Sequence, residues 1–251
     1  MSKKFKNRPC VYCVVKKATT GDHVFARQFF MEDKRPNLPK VPSCIACNGE
    51  KAKLETYLTA VLPFGGRHAD AAASLEMVPA RLAANQKLHR SLAAGSGIVA
   101  AEEAGAVQHM MLLPFDSEPL ERLFAYIVKG LIFHHWDVRL SEQHDVRIVL
   151  LSVAYEAVID RMLFGMKARR RVADDLGHGT FIYEGMQGDE MTAWRFAIYG
   201  GLALGGDPAT PGRFTRTILA FTGERAVLHS KGMNEMFGVG RSAADAADGG
   251  G

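Results

Sequence analysis

"CIACNGEKAKLETYLTAVLP", residues 44 to 63, opens on a cysteine pair and runs into an apolar repeat. Leu54, Leu58 and Val61 recur at intervals of four and three, with Tyr57 beside them. Pro63 closes the run, so the spacing predicts a helix from about Ala46. The pair at its start, Cys44 and Cys47, has a counterpart upstream in "CVYC", Cys10 and Cys13. These four are all the cysteines of the chain. In a reducing compartment they are poor candidates for disulfides. Two C-x-x-C knuckles offer four thiolates to one tetrahedral zinc. A redox dithiol is the competing use, but it needs a single pair in a thioredoxin-like βαβ setting, which the flanking residues do not supply. A segment of this size also has too small an apolar core to hold without a staple, and zinc is one.

Between the pairs, "ATTGDHVFA" (18–26) reads as a strand and "NLPKVP" (37–42) as a short extended return. The prolines bar that return from a central ladder position. The order is therefore hairpin, then helix. The same quarter carries a charge imbalance. Residues 1–62 hold twelve Lys or Arg against five Asp or Glu, a net of +7, while the remaining 189 residues net −3. A basic quarter on a slightly acidic body points to a polyanionic partner, or else to a solvated face.

"PFGGRH" (63–68) reads as a hinge. Beyond it, residues 69–78 and 80–95 read as two helices separated by Pro79, and 96–105 as a loop. Residues 106–115 read as a strand. "DSEPLERLFAYIVKGLIFHHW" (116–136) is the clearest helix, capped by Asp116 or Ser117, with Pro119 in its first turn and apolar residues on most faces. "VRIVLLSV" reads as a strand, "AYEAVIDRMLFGM" (154–166) as a helix, and "GTFIYEG", "MTAWRFAIYGGLAL" and "FTRTILAFTG" as three antiparallel strands. Trp136, Tyr183, Trp194 and Tyr199 are expected in the core rather than on a base-stacking surface. The fold class is α+β: a zinc-stapled ββα module over 1–62, a larger α+β part over 63–240 ending in an antiparallel sheet, and a disordered tail over 241–251. With 47% hydrophobic and 23% charged residues, the composition is that of an ordinary globular chain. No run of eighteen apolar residues suggests a membrane span, and the basic start "MSKKFKNRPC" lacks the apolar core of a secretion signal. A cytoplasmic location is expected.

Three more features complete the N-terminal pattern: Asp22 and His23 side by side in the hairpin, Asn37 before the return strand, and Asn48 directly after the last cysteine. Read as C-x2-C, then D-H, then N-L-P-K-V-P-x-C-x2-C-N-x2-K, residues 8–58 resemble the HNH endonucleases, the zinc-stapled ββα-metal nucleases. The resemblance implies a phosphodiester hydrolase acting on DNA. His23 matches the general base. Asp22 and Asn48 match the ligands of a divalent ion, and Asn37 matches the residue that ties the hairpin and orients the base. Many members carry His at the last motif position. Asn there favours Mg2+ or Mn2+, because an amide is an oxygen ligand. Asn48 could also serve as a helix cap. Arg27, Lys40, Lys51 and Lys53 are candidate phosphate contacts, with Lys51 at the motif's lysine position. By analogy, a nuclease module on a larger part suits restriction or phage defence. The larger part is free to select DNA or to mediate self-association. The alternative is a zinc-stabilised nucleic-acid-binding module without cutting activity.

Overall fold

The computed structural model describes residues 3–103, 106–152, 161, 167–202 and 215–236. Over these the chain is α+β, with antiparallel sheets and six helices. Strands β1 (Thr20–His23) and β2 (Lys40–Ser43) form a two-stranded sheet, and helix α1 (Ile45–Val61) follows directly. Helices α2 (Ala69–Ala84) and α3 (Gln86–Gly95) come next, then a hairpin of β3 (Gly97–Glu103) and β4 (Ala106–Leu112). Helix α4 (Ser117–Trp136) leads to a five-stranded sheet made of β5 (His144–Ser152), β6 (Arg170–Leu176), β7 (Phe181–Gln187), β8 (Thr192–Ile198) and β9 (Thr215–Glu224). Its order is β5-β9-β8-β7-β6, antiparallel throughout. Short helices α5 (Arg225–Leu228) and α6 (Lys231–Met236) follow.

Helix α4 organises the core. The Asp116 side chain accepts a hydrogen bond from the Glu118 N–H, and the helix ends at Asp137 in the left-handed region. Leu120, Leu123, Phe124, Ile127, Val128, Leu131 and Ile132 are all buried, so apolar residues occupy most of its circumference. Phe124 meets Phe181 and Phe196 of the sheet, and Trp136 tilts onto Trp194. Tyr183, Trp194 and Tyr199 are core residues, as their setting in the sequence implied.

The N-terminal quarter is built into this core. Val24, Phe25, Phe29 and Phe30 are fully buried, and Phe25 lies 4.6 Å from Phe181 and 5.7 Å from Tyr183 between ring centres. A fully buried side chain of this size contributes roughly 1.5–3 kcal/mol. That exceeds what a two-stranded hairpin supplies alone. The β1–β2 loop is pinned as well: Lys34 pairs with the buried Asp70 of α2 at 2.8 Å, Asp70 also takes the Thr180 hydroxyl, and the Tyr199 hydroxyl donates to the Phe29 carbonyl at 3.0 Å. Helix α4 approaches the residue after β1 so closely that a Cβ on Gly130 would stand 2.9 Å from a Val24 methyl.

Several local expectations are corrected. Pro79 does not separate two helices. It sits exposed within α2, where it removes the one N–H that would have bonded the Leu75 carbonyl, and the break falls at Asn85, which caps α3. The expected loop at 96–105 is largely strand β3. The expected hinge at 63–68 is a tight 3-10 turn at Leu62–Gly65 with Leu62 and Pro63 buried, and the N–H groups of Arg67 and His68 both donate to the Tyr199 carbonyl. Strand β6 was unforeseen. The helix expected at 154–166 lies outside the described residues except for Arg161, and so does the tail at 241–251.

Candidate active site

The first cysteine pair rides on a small hairpin closed by the Pro9–Lys17 bridge and by the Cys10 N–H donating to the Lys16 carbonyl at 2.8 Å. The turn forces Val14 into the left-handed region, φ 52°, a conformation that a β-branched residue adopts only under strain. The second pair begins α1. Cys44 is the N-cap, and its sulfur accepts from the Cys47 N–H at 3.5 Å. Its own N–H points at Cys10 Sγ, 3.4 Å away. All four Sγ atoms lie within 4.8 Å of one another, and Cys13 and Cys44 are 3.9 Å apart. Four thiolates about 2.3 Å from a tetrahedral zinc stand about 3.8 Å apart, so the cluster fits one such ion. Burial pushes the Cys10 and Cys47 thiols up. Cys13 is less enclosed, and the backbone N–H of Lys16 helps pull it down to about 7 against its own desolvation. Four thiols this close cannot all ionise without a cation, and a metal removes that conflict.

One strand away lies a second polar group. Asp22 stands opposite Val41 and is buried. His23 stands opposite Lys40 and is half-buried, on the other face of the strand. The buried Tyr12, inside the first knuckle, donates its hydroxyl to Asp22 Oδ2 at 2.6 Å. The ammonium of Lys51 reaches the same oxygen at 3.1 Å, the His23 carbonyl at 2.6 Å and Glu55 Oε1 at 2.5 Å. Among the described residues no donor reaches Asp22 Oδ1. Lys51 fastens α1 to β1, and Asn48 lies one turn before it on the same helix face.

This placement separates the expected site residues. Lys51 ties α1 to Asp22, and Asn48 sits one turn before Lys51 on that helix. A carboxylate oxygen and an amide oxygen are donor types that a hard divalent ion takes, whereas the four cysteines are the one metal-capable cluster among the described residues. Asn48 does not cap the helix, because Cys44 does. Lys51 differs from the expectation of a phosphate contact: it is fully buried, with two hydrogen bonds and an ion pair to Asp22. Lys53 is exposed, about 140° around the helix from Asn48, where it lines a groove with Lys87 and Asn85. Arg27 and Lys40 are exposed beside His23. Burial, then Lys40 and Arg27, push the His23 imidazole down to about 4, against the opposing pull of Asp22. Asn37 sits exposed in the turn before β2 with φ 65°, a conformation Asn tolerates better than most residues.

The sequence did not disclose the parts played by Tyr12 and Glu55. Glu55 had a signal, its i,i+4 spacing from Lys51. Tyr12 had none beyond its place between two cysteines. No described helix is long and apolar enough to cross a membrane. Compared with protein-family models, with curated proteins and with solved structures, the chain matches none.

Proposed function

We propose that the chain is a metal-dependent endonuclease of the HNH type, hydrolysing phosphodiester bonds in DNA. What supports it most is the Lys51 clasp, which sets the helix face bearing Asn48 against the strand that ends in Asp22 and His23. The clustered cysteines and the motif order of residues 8–58 add to it.

In this reading the twist at the end of β1 turns His23, which leaves the opposite strand face from Asp22, toward the same phosphate, where it accepts the proton of the attacking water. Asp22, through Oδ1, and Asn48, through its amide oxygen, would hold Mg2+ or Mn2+. The ion, when bound, offsets the charge that builds on the phosphate and the leaving oxygen. Arg27 and Lys40 receive flanking phosphates. A depressed pKa keeps the imidazole free of a proton near neutrality but leaves it a weak base. Phosphates paired with Arg27 and Lys40 cancel two of the charges that depress it, so substrate binding itself strengthens the base. Asn37 acts at a remove, by setting the turn that returns the chain to β2. The cysteine cluster holds structural zinc. The rest of the chain supports the hairpin, with roles in DNA selection, self-association or phage defence as analogies only.

The test is supercoiled plasmid incubated with protein carrying one zinc, in Mg2+, in Mn2+ and in excess chelator. Nicked or linear product that depends on the divalent ion is expected. Binding without cleavage under every ion would replace the enzyme with a zinc-stabilised nucleic-acid-binding module.

A further inference from the structure

We propose that Tyr12 is a positioning residue that couples the cysteine cluster to the divalent-ion site, by locking Asp22 so that only Oδ1 faces the ion. This rests on the nuclease reading of Asp22 and extends it to how that ligand is set.

A free carboxylate turns about its terminal torsion and can offer one oxygen or both. Here one oxygen is committed. Tyr12 donates to Oδ2 and the Lys51 ammonium pairs with the same oxygen at 3.1 Å, from different elements, and between them they fix the carboxylate plane. Neither donor is loose. The Tyr12 ring stands edge-on to Tyr126 of α4, 4.9 Å between centres at 81°, and its backbone belongs to the turn between Cys10 and Cys13. Tyr126 is itself bonded to Glu50 of α1. A rigid path therefore runs from the thiols through Tyr12 to the carboxylate, and loss of the cluster's metal would free the phenol that aims Asp22. Groups that fix a ligand's orientation typically alter metal affinity by about 10–100-fold when removed.

The experiment is Mn2+ titration of the full chain followed by electron paramagnetic resonance, which reads ion binding without any cleavage. Tyr12→Phe keeps the ring against Tyr126 and removes only the hydroxyl. Zinc at one per chain is expected to be unchanged, with Mn2+ affinity falling about tenfold. A purely structural hydroxyl would lower the melting temperature and leave Mn2+ affinity alone, and that result overturns the proposal. Asp22→Ala is the control. If it binds Mn2+ as well as the unaltered chain does, the ion site itself is wrong and the proposal falls with it. If Mn2+ binds Asp22 but ignores Tyr12, only the coupling fails. Should Tyr12→Phe not fold, the unaltered chain labelled with 13C at the Tyr12 phenol carbon gives the same information. Its resonance is expected to move with Mg2+ occupancy, and a resonance that stays still overturns the coupling.

Discussion

The N-terminal hairpin with α1 and the five-stranded sheet with α4 handle polarity in opposite ways. In the sheet, rings pack on rings: Phe181, Tyr183, Trp194 and Phe196 are buried against Phe124 and Trp136. In the hairpin and helix, an acid, a lysine, a second acid and a phenol are drawn inside and paired with one another, and the phenol stands between two of the four clustered cysteines. Buried polar groups cost free energy unless every one finds a partner, so such density is a poor route to stability. The arrangement makes sense where geometry at reactive groups matters more than burial. The sheet side supplies the apolar contacts that the hairpin lacks.

The largest effect expected on this contrast is at the clamp. Structural zinc contributes roughly 10–16 kcal/mol in small peptide domains, part of it as folding energy. Cys44→Ser should lose the metal and melt the hairpin, and hydrogen exchange should show β1, β2 and α1 opening while α4 and the sheet stay protected. A metal-free variant with a protected hairpin would mean that the aromatic core alone holds the quarter in place.

His23→Ala comes next. Cleavage should fall about 10²–10⁴-fold, while zinc content and melting temperature hold. A protonated imidazole cannot accept the water's proton, so kcat/KM should decline only as pH falls toward the depressed value of about 4. An inflection near 6.5, the ordinary imidazole value, would mean that the free protein does not hold His23 as described.

Two lysines two residues apart then separate buried polarity from surface charge. Lys51→Met strands Asp22 and Glu55 without their shared cation and should cost about 3–5 kcal/mol. Burial already raises the Glu55 pKa despite Lys51, so removing the lysine should raise it further. Lys53→Ala should leave stability unchanged within about 0.5 kcal/mol. Equal effects from the two would erase the distinction between them. The smallest effect is at the knuckle: Val14→Gly relieves a left-handed β-branched residue at the cost of a floppier unfolded chain. A net gain of about 1 kcal/mol should appear as a small rise in melting temperature.

The hairpin, α1, α4, the cysteine cluster and strands β7, β8 and β9 were legible because each has a periodic or spaced signature. Strand β6 was not. "RRVADDL" puts charge on both faces, which an edge strand accepts because only one side is paired. Strand β3 escaped notice because "GIVAAEE" ends in small and acidic residues with weak strand preference. Within the site, residue types and order could be read from the chain, but pairings could not. Lys51 looked like a surface cation because nothing local says that its stem crosses to β1. Only the folded hairpin reveals that Asp22, Glu55 and the His23 carbonyl wait for it. Tyr12 was hidden for the same reason, since its partner lies ten residues away across a turn.

The missing side chain at Gly130 has a consequence for anyone trimming this protein to a minimal unit. The surface that holds Val24, and so the strand end bearing the imidazole, belongs to a helix encoded far downstream. Residues 1–62 cut out alone would carry the whole motif yet leave one wall of its mould behind.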